Sequence, residues 1–214
     1  MGMGMGMGMA RTGRAAALGW LGLAVLGLAA PAVAGEVVFR AQVKYLTVQL
    51  PHLDRGKSFE DAVEVVLSGV LFEPPRRLGA VTRAQADLST PEAAARSDFS
   101  AWKADDVAWI LGNFAAAEQA TLAAFLDDAK MRAASKAAFA KQDSVCLWGV
   151  VRYEAYALVL VTYGQGAERA RGLTATFVEE AGAWKRTNAL TADETLDLVW
   201  TAFCRSEMTA EAKR

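Results

Sequence analysis

"ALVLVTYGQGAERARGLTATFVEEAGAWKRTNAL", residues 157–190, is the stretch on which the fold turns. Residues 157–163 are a short run dominated by β-branched and apolar side chains, and Leu173 to Glu180 repeats that character, which marks strands. Gly164-Gln165-Gly166 and Ala181-Gly182 supply the turns between them. Successive strands joined this closely pair as hairpins, so the sheet is antiparallel. Val145, Leu147, Val150 and Val151 start the β-rich region upstream, and residues 184–190 read as a fourth strand. Alternation sets Trp184, Arg186 and Asn188 on one face, with Lys185 and Thr187 on the other. Thr191-Ala192-Asp193-Glu194 then reads as a capping box before an amphipathic helix carrying Leu196, Val199, Trp200 and Phe203.

Working outward, the region before the sheet is helical in pattern. Thr90-Pro91-Glu92 combines a cap, a proline at the first helical position and an acid at the positive dipole end. Ala94, Ala95, Phe99 and Trp102 follow on one face. Asp105-Asp106 opens a second helix with Val107, Trp109, Ile110, Leu111 and Phe114, and Gly112-Asn113 separates it from the alanine-rich run 115–139. Leu122, Phe125, Leu126 and Ala129 form the apolar face of that run. Further upstream, Phe39, Ala41, Val43 and Tyr45 alternate with Arg40, Gln42 and Lys44, which favours a strand, although Val37, Ala41, Tyr45 and Val48 also fit a helical stripe. Residues 58–71 read as a helix, with Glu60 and Asp61 in its first turn and Ala62, Val63, Val66, Leu67 and Val70 on one face. Pro74-Pro75, Arg76-Arg77 and Gly79 give 73–89 a linker composition.

The expected class is therefore α+β: N-terminal helices packed on a curved four-stranded antiparallel meander, with a C-terminal helix. Residues 35–88 form a strand/helix segment and linker, 89–205 the α+β domain, and 206–214 a disordered tail.

The first 34 residues pose a different problem. Arg11 and Arg14 precede an apolar run that ends in Pro31-Ala32-Val33-Ala34, the pattern of a signal peptide cut between Ala34 and Gly35. The alternative is a membrane anchor, but the run falls short of the roughly 20 residues of a comfortable span. Cleavage predicts a periplasmic or secreted protein with no stable membrane span. Five of the chain's seven methionines lie in the Met-Gly repeat 1–9, which has no face to bury and reads as a start-site artefact. Cys146 and Cys204 are the only cysteines. An even pair in an oxidising compartment reads as a disulfide, worth up to about 4 kcal/mol by loop closure; two buried free thiols are the alternative. With 23 basic against 24 acidic residues and a net charge of -1, no basic field invites nucleic acid.

Helices opened by Thr90-Pro91-Glu92 and followed by an antiparallel meander resemble the nuclear-transport-factor-2-like superfamily, over residues 89–204. The segment 90–106, TPEAAARSDFSAWKADD, is similar to the opening helix of such domains, and GAWKRTN to a late strand of exported members. No clear first strand appears between the second and third helices, a departure from that pattern. The resemblance implies a sheet wrapped around a long helix with an open, apolar end. Trp102, Trp148, Tyr163, Phe177 and Trp184 are the residues expected to line it.

Enzymes of the superfamily place a perturbed acid or base inside the cone, but no catalytic set of theirs transfers to this chain. His52 sits beside Pro51 in a loop and reads as structural. Adjacent acids at 105–106 and 127–128 do not share a helix face and read as dipole compensation. Neither metal nor cofactor is expected. The function expected is an exported, non-catalytic domain that binds a small apolar ligand or an envelope protein; an isomerase or hydrolase working in the cone, and a structural envelope or assembly factor, are the alternatives.

Overall fold

The computed structural model describes residues 32–47, 57–164 and 172–212. Its centre is one antiparallel sheet of seven strands: β1 (Ala32–Gln42), β2 (Ala62–Gly79), β3 (Ser144–Tyr153), β4 (Tyr156–Tyr163), β5 (Leu173–Glu180), β6 (Ala183–Arg186) and β7 (Met208–Ala212). The spatial order is β6-β5-β4-β3-β2-β1-β7, so six strands form a continuous meander and β7 closes the far edge against β1. Between β2 and β3 lie helices α1 (Pro91–Ala104), α2 (Val107–Asn113), α3 (Gln119–Asp127) and α4 (Ala129–Ala140); α5 (Glu194–Arg205) follows β6.

Two cores flank the sheet. On one face α5 buries Leu198, Val199, Ala202 and Phe203 against Val37, Phe39, Val63, Leu67, Trp148, Leu158 and Leu160. On the other, α1 lays Ala94, Ala95 and Phe99 over Phe72, Val145, Leu147, Val159, Val161 and Phe177. β3 and β4 are sandwiched between these layers, which is why both run buried almost end to end. A third cluster, Ala101, Trp109, Ile110, Phe114 and Leu126, holds α1 to α2 and α3.

Local signals place the helix ends. Thr90 caps α1 by accepting from the Ala93 amide at 3.2 Å, with Pro91 first in the helix. Asp105 ends that helix in the left-handed conformation, and Asp106 caps α2 by accepting from the Trp109 amide. Asp193, rather than Thr191, caps α5, accepting from the Leu196 amide at 3.0 Å. The alanine-rich run is not one rod: Asp128 accepts from the Lys130 and Met131 amides, and this local competition with helical hydrogen bonding starts α4 afresh.

Four expectations are corrected. The sheet has seven strands rather than four, because β1 and β7 join it and residues 62–79, expected as a helix and a linker, are one long strand, so the helices α1 to α4 are inserted after the second strand instead of preceding the sheet. Val63 and Leu67 satisfy a helical spacing, but they also sit on the period of two: Val63 and Leu67 are buried while Glu64, Val66 and Ser68 are exposed. With Val63, Val65, Val66 and Val70 all β-branched, strand geometry prevails. Pro74-Pro75 does not break the strand because the ladder slips there. Leu71 pairs with Gly149 and Arg76 with Leu147, so the prolines occupy residues without ladder partners. The strand 184–190 shortens to Ala183–Arg186, and the tail expected to be disordered supplies β7. Ala34 and Gly35, the expected cleavage point, lie within β1, opposite Val70 and Gly69, and the residues from Gly35 to Gln42 are all paired with β2.

Among the described residues no helix is long and apolar enough to cross a membrane.

Close approach fixes one glycine on β2. A Cβ on Gly69 would stand 2.5 Å from the Val150 carbonyl oxygen and 2.8 Å from Val151 Cα, both backbone atoms of the neighbouring strand; nothing lies within 4 Å of one on Gly79. Gly69→Ala is expected to destabilise the protein by about 1–3 kcal/mol, whereas Gly79→Ala leaves stability within about 0.5 kcal/mol. Thermal unfolding of the two variants side by side checks the difference.

Candidate functional site

The site begins with a carboxylate in an unexpected place. Asp98 falls on the inward stripe of α1, between Ala94, Ala95 and Phe99, and is only 3% exposed. Its two oxygens are met separately: Trp102 Nε1 donates to Oδ1 at 3.1 Å, and Arg186 Nη1 donates to Oδ2 at 3.2 Å. Trp102 lies one turn further along the same helix, at the spacing that lets the two side chains meet. Arg186 comes from the end of β6, where alternation turns it to the same sheet face as Trp184.

Burial is the main influence on Asp98 and pushes its carboxyl above the ordinary value; the Arg186 charge and the hydrogen bonds from Trp102 and Arg186 oppose that push. The folded state therefore holds this proton more tightly than the unfolded chain. Asp98 favours folding most below the ordinary carboxylate range and loses that contribution as pH rises. Tyr163, at the end of β4, is pushed up to about 12, chiefly by burial and then by the Asp98 charge, with Arg186 opposing.

Above this cluster opens a cavity of about 410 Å³. Trp102, Phe114, Leu122, Phe125, Phe139 and Leu173 give it apolar walls; Glu118, Thr121, Ser135 and Asn188 add polar atoms, and Asp98, Tyr163 and Arg186 complete the lining. The aromatic wall is internally packed. Trp102 stacks on Phe139 at 5.7 Å between centroids, Phe139 meets the edge of Tyr163 at 5.5 Å, and Phe125 stands edge-on to Trp102 at 6.4 Å. Glu118 accepts on one oxygen, Oε1, from the Thr187 hydroxyl at 3.1 Å and the Asn188 amide at 3.0 Å.

Donor capacity, by contrast, is left over. Arg186 Nε is buried with no hydrogen-bond partner. Next to Asp98 in sequence, Ser97 accepts from Trp109 Nε1 and donates to Asn113 Oδ1, both at 3.0 Å, and leaves Asn113 Nδ2 unmatched.

Of the five residues expected to line a pocket, the structure brings together Trp102 and Tyr163. Trp148 lies across the sheet, donating to the Thr162 hydroxyl at 3.1 Å and packing on Phe203. Phe177 and Trp184 face the correct side but are core residues beneath α1, 1% and 7% exposed. Asp98 and Arg186 were missed, as were Leu122, Phe125 and Phe139. A carboxylate set into an otherwise apolar helical stripe is the sequence signal that marks Asp98. His52 lies outside the described residues. Asp105 serves Arg132 and Lys136 as an ion-pair partner on the helix surface. Among the described residues no three His, Cys, Asp or Glu side chains are placed to hold a metal ion.

The expected disulfide is not formed: Cys146 and Cys204 are free thiols. Each sulfur points to a different backbone carbonyl, Cys146 to Gly164 at 3.7 Å and Cys204 to Gly172 at 3.6 Å. Compared with family models, with curated proteins and with solved structures, the chain finds no match, so function rests on the geometry of the cavity.

Two measurements test this description. A thiol titration in denaturant should count two reactive thiols per chain. In an alkaline ultraviolet titration, Tyr163 holds its proton past the ordinary tyrosine value of 10 and ionises near pH 12. The latest phenolate step should shrink in Tyr163→Phe. An unchanged late step would mean that this hydroxyl is not shielded.

Proposed function

We propose that the protein is an exported, non-catalytic domain that binds a small amphipathic molecule in the cavity between the helices α1 to α4 and the sheet. One observation carries the reading: the buried Asp98 and its partly buried partner Arg186 lie at the polar end of a cavity whose remaining walls are mainly aromatic and aliphatic. Such a combination of apolar enclosure and a few fixed polar groups suits a ligand with a greasy body and one polar end. Small side chains at Thr121 and Ser135 support it, since they leave room on helix faces where leucine would close the space.

A proton-transfer enzyme is the second reading, because Asp98 is a desolvated carboxyl beside the Tyr163 hydroxyl. Against it, both carboxylate oxygens already accept hydrogen bonds from the protein, which leaves Asp98 better placed to orient Arg186 than to take a proton from a substrate.

Binding of Nile red, an uncharged apolar dye, tests the cavity. One dye per chain is expected, with the emission shift of an apolar site. Leu122→Trp, which fills the cavity from α3, should weaken binding at least tenfold while the circular dichroism spectrum is retained. Native mass spectrometry of protein purified from its own host should then reveal a retained small molecule that is missing from the variant. Equal dye binding by both proteins would place the dye elsewhere and sink the reading.

A further inference from the structure

The polar end of the cavity is unevenly satisfied, and that unevenness defines a ligand class. Its acids already hold donors from the protein. Asp98 receives Trp102 and Arg186, one donor on each oxygen, and Glu118 receives Thr187 and Asn188, both on Oε1. Its cation is only partly matched. Arg186 spends one amine on Asp98, lies against the Tyr163 hydroxyl, and has a buried Nε with no acceptor. Arg186 is also the only cation lining the cavity among the described residues. What the Arg186 Nε lacks is an acceptor, and a guanidinium with an unused N–H is well met by a planar two-oxygen anion.

Resting on the reading that this cavity binds an amphipathic molecule, we infer that the ligand is an apolar monocarboxylate whose carboxylate docks on Arg186, and that Asp98 takes up a proton as it binds. The charge balance requires the second half. In the empty cavity Asp98 and Arg186 cancel. A ligand carboxylate would place two anions on one guanidinium inside apolar walls, an arrangement in which one carboxyl is driven to carry a proton. The groups facing Asp98 decide which one. Arg186 from β6 is shared with the ligand, Tyr163 from β4 stays neutral, Glu118 from the 3-10 turn Ala116–Glu118 adds negative charge, and Trp102 on its own helix donates without charge.

Asp98, the more deeply enclosed carboxyl, is the one neutralised; its burial already favours the protonated form. The proton comes from solvent and forms an O–H bond on Asp98, and no other covalent bond changes. Arg186 then turns from an internal ion pair to the ligand, while the aromatic wall of Trp102, Phe125 and Phe139 covers the apolar body.

Isothermal calorimetry with three naphthalene probes of nearly equal shape tests this: the carboxylate, the carboxamide and the methylammonium. Titrations in two buffers of different ionisation heat, between about pH 5 and about pH 8, count protons directly on the unmodified protein. The expected result is that the carboxylate binds tightest at the acid end, with uptake approaching one proton, and loses about tenfold in affinity per pH unit where uptake is complete. Arg186→Gln should erase its advantage over the carboxamide. Asp98→Asn, if it folds, should bind the carboxylate without the pH slope. A carboxamide or methylammonium that binds as tightly as the carboxylate, or carboxylate binding without proton uptake across the whole range, overturns this inference and leaves the cavity reading standing. Failure of all three probes together with Nile red overturns both.

Discussion

The meeting of Asp98 with Arg186 is the constraint on which the rest of the structure depends. The two residues are 88 positions apart in sequence, one on the buried stripe of the first helix and the other at the end of the shortest meander strand. Taking both charges out of water is expensive, and the attraction between them offsets the loss only where geometry and extra hydrogen bonds are good. Trp102 supplies one such bond. Around the pair, β6 is stitched to the helical layer through its backbone: the Ala115 amide donates to the Arg186 carbonyl at 2.8 Å, and the Trp184 amide donates to the Leu88 carbonyl at 2.8 Å. An edge strand of four residues would otherwise present open backbone groups. Here the helical layer covers them, and the same contacts hold Arg186 over the carboxylate.

This arrangement gives the segment GAWKR two roles at once. Alternation sends Trp184 into the core and Arg186, two residues on, to the cavity. The transition from core to cavity occurs within one strand and in register with α1, on which Ala94, Ala95 and Phe99 seal the sheet while Asp98 and Trp102 face the opening. A single boundary therefore runs across both elements. On one side side chains interlock at interior density; on the other, Thr121, Ser135 and Asn188 are too small or too polar to fill the space that the helices enclose.

The hairpin strands β3 to β5, the Thr90 cap and the C-terminal amphipathic helix were legible in sequence because each rests on neighbours along the chain: a turn glycine, a hydroxyl before proline, a 3.6 period. β2 was not, since Val63 and Leu67 satisfy the helical and the strand period together, Val70 continues only the helical one, and Glu60-Asp61 imitates a helix start. Only the ladder with β1 and β3 resolves that ambiguity, and the chain elements that form it are far apart. β7 was hidden by its length and polarity; MTAEA acquires strand geometry from β1 alone. At the site, Trp102 and Tyr163 were recognisable as aromatics on plausible faces, but nothing local separates them from Trp148, Phe177 and Trp184. Trp148 is set apart by its place on the opposite side of the sheet, and Phe177 and Trp184 by burial beneath α1; both are tertiary properties. Arg186 was correctly placed on the face of Trp184, yet its partner was invisible until α1 was laid across the strand.

A fold shaped for stability alone would not keep this pair. Replacing a buried ion pair by apolar residues of similar volume is often neutral or stabilising, and leucines at Thr121 and Ser135 would extend the apolar wall into the open space. The chain instead retains a guanidinium with an unpartnered nitrogen beside a carboxyl that burial pushes toward its neutral form. Each group is held short of its own best state by the other: burial favours the protonated carboxyl while Arg186 opposes it, and the cation is only partly matched in a place that punishes unmatched donors. Moving one proton onto Asp98 relieves the first and frees the second for a new acceptor. That reciprocal relief makes the cluster a place where a ligand's charge and a solvent proton enter together.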